Sequence, residues 1–222
     1  MKTMQKDICK AWVFSVLLAG MSATLGGCEI AGVLLHQLIG EPPVDAQYDL
    51  PKGPTLVLVE NYRSPDAIQF DADQISHAVT DELKKPGKIE VINPDKVLAL
   101  RDEDESKYRT MNIAAVGKAV GAKQVIYVDL VESEVNKDPS AGAVSAQATA
   151  RVRVVDSETG RTLWPSNATA GKELSQPIDF QQVDPSHVAA MHTQLLTKLS
   201  SKIAKLFYRW SPDDQAQEDN GG

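Results

Sequence analysis

Val144-Ser145-Ala146-Gln147-Ala148-Thr149-Ala150-Arg151-Val152-Arg153-Val154 alternates without a break. Successive side chains of a β-strand point to opposite faces, so Ala146, Ala148, Ala150, Val152 and Val154 share one face, and Gln147, Thr149, Arg151 and Arg153 share the other. The first set belongs on a covered face, and its alanines let helices sit close to the sheet. The second set is a polar face. The strand then meets Ser157-Glu158-Thr159-Gly160, a turn sequence that leads a hairpin into Arg161 to Trp164.

Upstream, Thr55 to Glu60 is a β-branched run of buried-strand length, and Val125-Ile126-Tyr127-Val128 begins another strand. Ile89 to Ile92 reads as a further strand. Between them Ala72, Ile75, Val79 and Leu83 recur at helical spacing, predicting a helix from about Phe70 to Lys85 that Pro86-Gly87 ends. Asn93-Pro94 opens a short helix through about Leu100, and a helix over Asn112 to Val120 has Gly121 as its left-handed cap. Downstream, a short strand is expected near Ala168 to Leu174. Val188, Met191, Leu195, Leu199, Ile203, Leu206 and Trp210 form one apolar stripe, predicting a long last helix that Ser211-Pro212 stops. The fold class is α+β, a mixed α/β sandwich with a mixed sheet of about four strands, helices packed on it and a long C-terminal helix. It occupies residues 55–210 as one domain, and the acidic tail 211–222 is expected to be disordered.

The N-terminus carries the parts of an export signal: Lys2, Lys6 and Lys10, then apolar Ala11 to Leu25, then small residues. The apolar run is shorter than the roughly 20 residues that a spanning helix needs. Leu25-Gly26-Gly27-Cys28 resembles the lipobox of bacterial lipoproteins. That resemblance implies cleavage of residues 1–27 as a signal peptide, lipidation of Cys28 by palmitate-type acyl chains, and a membrane partner reached through lipid. Glu29 beside it, where aspartate favours the inner membrane in enteric lipoproteins, implies the outer membrane and a periplasmic domain. Residues 28–54 hold the lipidated cysteine, a short apolar piece from Ile30 to Ile39 and, from Glu41, a tether that Pro42, Pro43, Pro51 and Pro54 keep extended.

Cys9 leaves with the signal and Cys28 is alkylated, so no thiol remains to form a disulfide. Residues 1–27 hold three lysines and Asp7, a net +2, so their removal takes the formal charge from −7 to −9. An acidic chain of this kind argues against nucleic acid or anionic lipid as a partner.

Two segments are similar to a known group. Gly121-Ala122-Lys123-Gln124-Val125-Ile126 looks like a helix-to-strand junction of periplasmic lipoproteins related to the curli secretion channel subunit and the penicillin-binding-protein activator lipoprotein. Val154-Val155-Asp156-Ser157-Glu158-Thr159-Gly160-Arg161-Thr162-Leu163-Trp164 resembles their late hairpin. The resemblance points to a monomeric or weakly associating module held at a membrane. A channel subunit is excluded by size, since Asn136 to Gly142 reads as a short polar loop with no room for strands of roughly 9 to 11 residues.

No residue pattern predicts catalysis, a metal or a cofactor. Asp73, His77 and Asp81 lie at i, i+4, i+8 and read as a solvated helix face. His187 and His192, five apart, diverge by about 140° on a helix. Asp102 to Glu105 lacks the glycine and bidentate glutamate of a calcium loop and reads as an exposed acidic loop. Gly117 and Gly121 read as packing and capping. The expected partner surface is the polar strand face of Gln147, Thr149, Arg151 and Arg153, extended by Arg161, with arginines to meet a partner's carboxylates. The expected role is a lipid-anchored periplasmic interaction module for envelope assembly or regulation. A small-ligand carrier or enzyme, and a subunit of a periplasmic ring, are the alternatives.

Overall fold

The computed structural model describes residues 41–60, 69–138, 143–168, 170–182 and 187–212. Five strands form one mixed sheet: β1 (Thr55–Glu60), β2 (Gln124–Asp138), β3 (Ala143–Asp156) and β4 (Thr162–Trp164) in that order, with β5 (Lys172–Gln182) also paired to β3. β1 and β2 are parallel, Thr55 opposite Gln124 through Glu60 opposite Asp129. Parallel neighbours need a crossover, and it carries α1 (Gln69–Lys84), α2 (Asp95–Glu103), α3 (Glu105–Tyr108) and α4 (Ile113–Ala119). β2 and β3 form a long antiparallel hairpin with a bulge between Leu130 and Glu132. The last helix is α5 (Val188–Ala204).

α1 and α5 cover one face of the sheet. The α1 stripe Ala72, Ile75, Val79 and Leu83 and the α5 stripe Met191, Leu195, Leu199 and Ile203 are buried with Val57, Val59, Ile126, Val128 and the row Ala146, Ala148, Ala150, Val152 and Val154. The alanines fulfil their expected role: Ala148 and Ala150 are 0% exposed beneath helices that larger side chains would push outward.

Among the described residues, the other face is covered over β1, the first part of β2 and the Val155 end of β3. There Leu56, Leu58, Val125 and Tyr127 pack with Val97, Val116 and Val120 from α2 and α4. Gly117 is what lets α4 come this close, since a Cβ there would stand 2.5 Å from Ser157 Oγ and 2.7 Å from Val125 Cγ2. Asn112 Oδ1 accepts the Ala115 N–H at 2.9 Å to start α4, and Gly121, at φ +80°, ends it.

Several boundaries differ from the sequence reading. Ile89 to Ile92 is no full strand: it contributes one parallel bridge, Val91 to Thr55, because Asn93 at once begins the turn into α2, its Oδ1 accepting the Asp95 N–H at 3.1 Å. The short strand expected near residues 168–174 is instead β5, 11 residues long; Pro177 is tolerated because β5 has β3 as its one paired neighbour among the described residues. Asn136 to Asp138 are strand, not loop, so β2 and β3 reach 15 and 14 residues. Length therefore does not exclude a membrane hairpin, but one face of β2–β3 lies under helices and the other carries Glu132, Glu134 and Gln147, which suits lipid on neither side. Asp102 to Glu105 is a helix junction, not a loop, with Asp104 Oδ1 capping α3 through the Lys107 N–H at 2.9 Å.

α5 ends at Ala204, short of the expected Trp210. The Leu206 carbonyl accepts the N–H groups of Gln47 and Tyr48 at 2.8 and 3.1 Å, which withdraws it from any helical ladder. The tether accordingly ends early. Residues 45–54 lie on the domain, with the Gln124 side chain donating to the Pro51 carbonyl at 2.8 Å and Lys123 N–H to Pro54 at 2.8 Å. One compact unit runs from Asp45 to Trp210. Tyr48 stacks on Trp164 at 6.1 Å, Phe207 meets the same indole edge-on at 5.9 Å, and burial pushes the Tyr48 phenol above its ordinary pKa.

Candidate functional site

Strand pairing brings four of the expected surface residues together on the open half of the sheet. Gln147 lies opposite Glu134 and Pro177, Thr149 opposite Glu132 and Ser175, Arg151 opposite Asp129 and Glu173, and Arg153 opposite Tyr127. The face is more self-satisfied than the sequence suggests. Arg151 Nε meets Glu173 Oε2 at 3.2 Å, Gln147 Nε2 donates to Glu132 Oε2 at 3.1 Å, and the Arg153 guanidinium lies 4.7 Å from the centre of the Tyr127 ring. Four carboxylates, of Asp129, Glu132, Glu134 and Glu173, surround two arginines. The surface is thus a mixed, net acidic array and not an arginine patch.

Arg161 stands apart from it, exposed in the β3–β4 turn beyond the strand positions that form the face. In that turn Asp156 Oδ1 accepts the Thr159 hydroxyl at 2.8 Å and the Thr159 N–H at 2.7 Å. Those two bonds, with the positive charge of Arg161 adding to them, hold the Asp156 carboxyl below its ordinary pKa. Leu25, Gly26, Gly27 and Cys28, like the acidic residues after Pro212, lie outside the described residues.

The polar residues of α1 do not converge. Asp73 pairs with Arg101 at 3.8 Å, His77 with Asp95 at 3.3 Å and Asp81 with Lys84 at 2.9 Å, three partners in three directions. Between β1, α1 and α2 lies a cleft of about 20 Å³ lined by His77, Asp73, Arg101 and Tyr108. That is room for about one water, far below the hundreds of Å³ that a small-molecule site occupies. Among the described residues there is no group of three metal-ligating side chains, and no helix is long and apolar enough to cross a membrane.

One cluster escaped the sequence reading. Ser133 on β2 donates to Asp71 Oδ2 on α1 at 3.0 Å, His192 Nε2 on α5 lies 3.0 Å from the same serine oxygen, and His192 Nε2 is 3.2 Å from Asp71 Oδ2. The residue types are those of a hydrolase triad, but the connections are not. In a triad the imidazole faces serine with one nitrogen and the carboxylate with the other. Here a single nitrogen faces both, and the serine proton already goes to the aspartate. The trio ties α1 and α5 to β2 and does not activate a nucleophile. Its members are far apart in the chain, so no local spacing announces it; His192 fell on the polar side of the α5 stripe without a visible partner.

No protein-family model matches the chain, and no curated protein does. Among solved structures it is similar to lipoprotein GNA1162 from Neisseria meningitidis, at 14% identity over 67% of this chain and 99% of that one, with a TM-score of 0.46. It is also similar to protein XCC0632 from Xanthomonas campestris, at 13% identity over 83% and 95% with a TM-score of 0.47, and to protein CT253 from Chlamydia trachomatis, at 16% over 69% and 96% with 0.43. The solved structures it resembles thus include a bacterial lipoprotein. None of these likenesses extends to an activity.

Proposed function

We propose that the protein is a lipid-anchored module of the bacterial envelope that acts by binding another envelope protein through the open half of its sheet. The observation that carries this reading is the uneven cover of the sheet: α1 and α5 cover one face, while on the other, among the described residues, Gln147 and Arg151 of β3 and Glu173 and Ser175 of β5 present an uncovered polar surface around the buried Thr149. Such a surface offers hydrogen bonds and paired charges to a protein partner, while the cleft at His77 is too small to enclose a substrate. The lipobox resemblance of Leu25 to Cys28 supports anchoring by acyl chains at Cys28, on the periplasmic side and at the outer membrane. The likeness of residues 121–126 and 154–164 to the curli-subunit and penicillin-binding-protein activator group points toward the same kind of role.

Photo-crosslinking residues placed at Gln147 and Ser175 in intact cells test it. Both positions should give one discrete protein adduct, Lys96 on α2 should give none, and Arg151→Glu should reduce the adduct at least about tenfold while the domain stays folded. Equal adducts from Lys96, or no effect of Arg151→Glu, would remove the open face from the function.

A further inference from the structure

The chain carries a formal charge of −7, yet from His187 to Trp210 it holds four Lys or Arg residues and no Asp or Glu. The four are Lys198 and Lys202 on α5 and Lys205 and Arg209 in the segment just after it. Lys198, Lys202 and Arg209 are exposed and Lys205 is half-buried; Lys198 and Lys202 flank the buried stripe of Leu195, Leu199 and Ile203, and the Lys202 ammonium donates to the Ser175 carbonyl of β5 at 2.8 Å. At the end of the row the Lys205 ammonium lies 4.4 Å from the centre of the Trp210 ring. A basic row ending in tryptophan is the composition of a surface that rests against anionic headgroups.

The tether joins the compact unit at this same end. The chain enters the compact unit at Asp45, which meets Arg209 at 3.4 Å, and the next contacts are the Gln47 and Tyr48 N–H groups on the Leu206 carbonyl. From Cys28 to Asp45 is 17 residues, which span at most about 60 Å, so an acyl anchor keeps this end within that reach of the lipid.

We propose that Lys198, Lys202, Lys205 and Arg209, with Trp210, form a docking surface for anionic phospholipid headgroups. The surface rests on the anchored reading of Cys28.

The test uses the processed chain, residues 28–222, carrying Cys28→Ala so that no acyl chain contributes, and vesicles of phosphatidylethanolamine with or without phosphatidylglycerol. Sedimentation should show binding that requires phosphatidylglycerol and is lost on raising NaCl from about 0.1 to about 0.5 M. Each lysine contributes about fivefold to partitioning, so Lys198→Gln/Lys202→Gln/Lys205→Gln should weaken it at least about tenfold. Lys198→Gln alone, at an exposed position, should give about fivefold and keeps the test valid if the triple variant melts early. Binding independent of phosphatidylglycerol, or unchanged in both variants, overturns the proposal. So does binding that emerges only after Asp213, Asp214, Glu218 and Asp219 are neutralised, because the chain's own tail would then be the occupant of the row. Acylation of Cys28 is read separately by fatty-acid labelling of the wild-type chain in cells, so a failed anchor and a failed docking surface give different results.

Discussion

The two faces of the sheet are built from the same strands and follow opposite rules. On the covered face, Ala146, Ala148, Ala150, Val152 and Val154 are small, aligned and sealed beneath α1 and α5. One residue away in each case, Gln147, Thr149, Arg151 and Arg153 are held by cross-strand partners, with Gln147 exposed, Arg151 and Arg153 half-buried and Thr149 buried between them. The difference separates stability from recognition. Apolar burial on the first face supplies the folding free energy, so the second face can keep the polar surface a partner needs.

The covered face should be where the fold breaks. Leu195 is 0% exposed in the seam between α5 and the sheet, and Leu195→Ala removes its transfer free energy and leaves a cavity, at a cost of about 2 to 5 kcal/mol. Urea unfolding should show this as a drop in midpoint with the slope unchanged; a loss below about 1 kcal/mol would mean that the seam is loosely packed.

Gly117 sharpens the comparison from the other side, where cover is partial. Gly117→Ala puts a methyl group into contact with Ser157 Oγ and Val125 Cγ2, forcing α4 outward at a cost of about 1 to 3 kcal/mol, although alanine is the better helix former. A stabilised variant in a thermal melt would show that α4 can shift freely on its half of the sheet.

Which of these features the sequence announces follows from their range in the chain. Period-two alternation in β3 and the three-to-four spacing in α1 and α5 are local, so both faces of β3 and the helices over one of them are legible from residues 72–83, 144–154 and 188–203. Gly121 is legible because a cap acts within one turn. β5 is obscured because Pro177 speaks against a strand until its edge position is known, and the end of α5 because Leu206 is claimed by Gln47 and Tyr48, more than 150 residues earlier. On the open face the residue types are legible but their pairing is not: Glu173 and Tyr127, which hold Arg151 and Arg153, come from two other strands. The trio of Asp71, Ser133 and His192 is hidden for the same reason.

The smallest effect is expected where the sequence draws most attention. Arg151 and Glu173 meet at 3.2 Å, but their side chains are 34% and 60% exposed, and an ion pair in that setting contributes about 0 to 1 kcal/mol because water screens it and ordering two long side chains offsets much of the gain. Arg151→Ala, Glu173→Ala and the double variant, compared by urea unfolding, should give a coupling energy within that range. The contrast with Leu195→Ala is the informative quantity. If the pair coupled by about 3 kcal/mol, the open face would be structural and its polar groups committed to the fold, since only a desolvated pair reaches that size. A coupling near zero leaves Arg151 and Glu173 free to exchange each other for a partner's groups at little cost to stability.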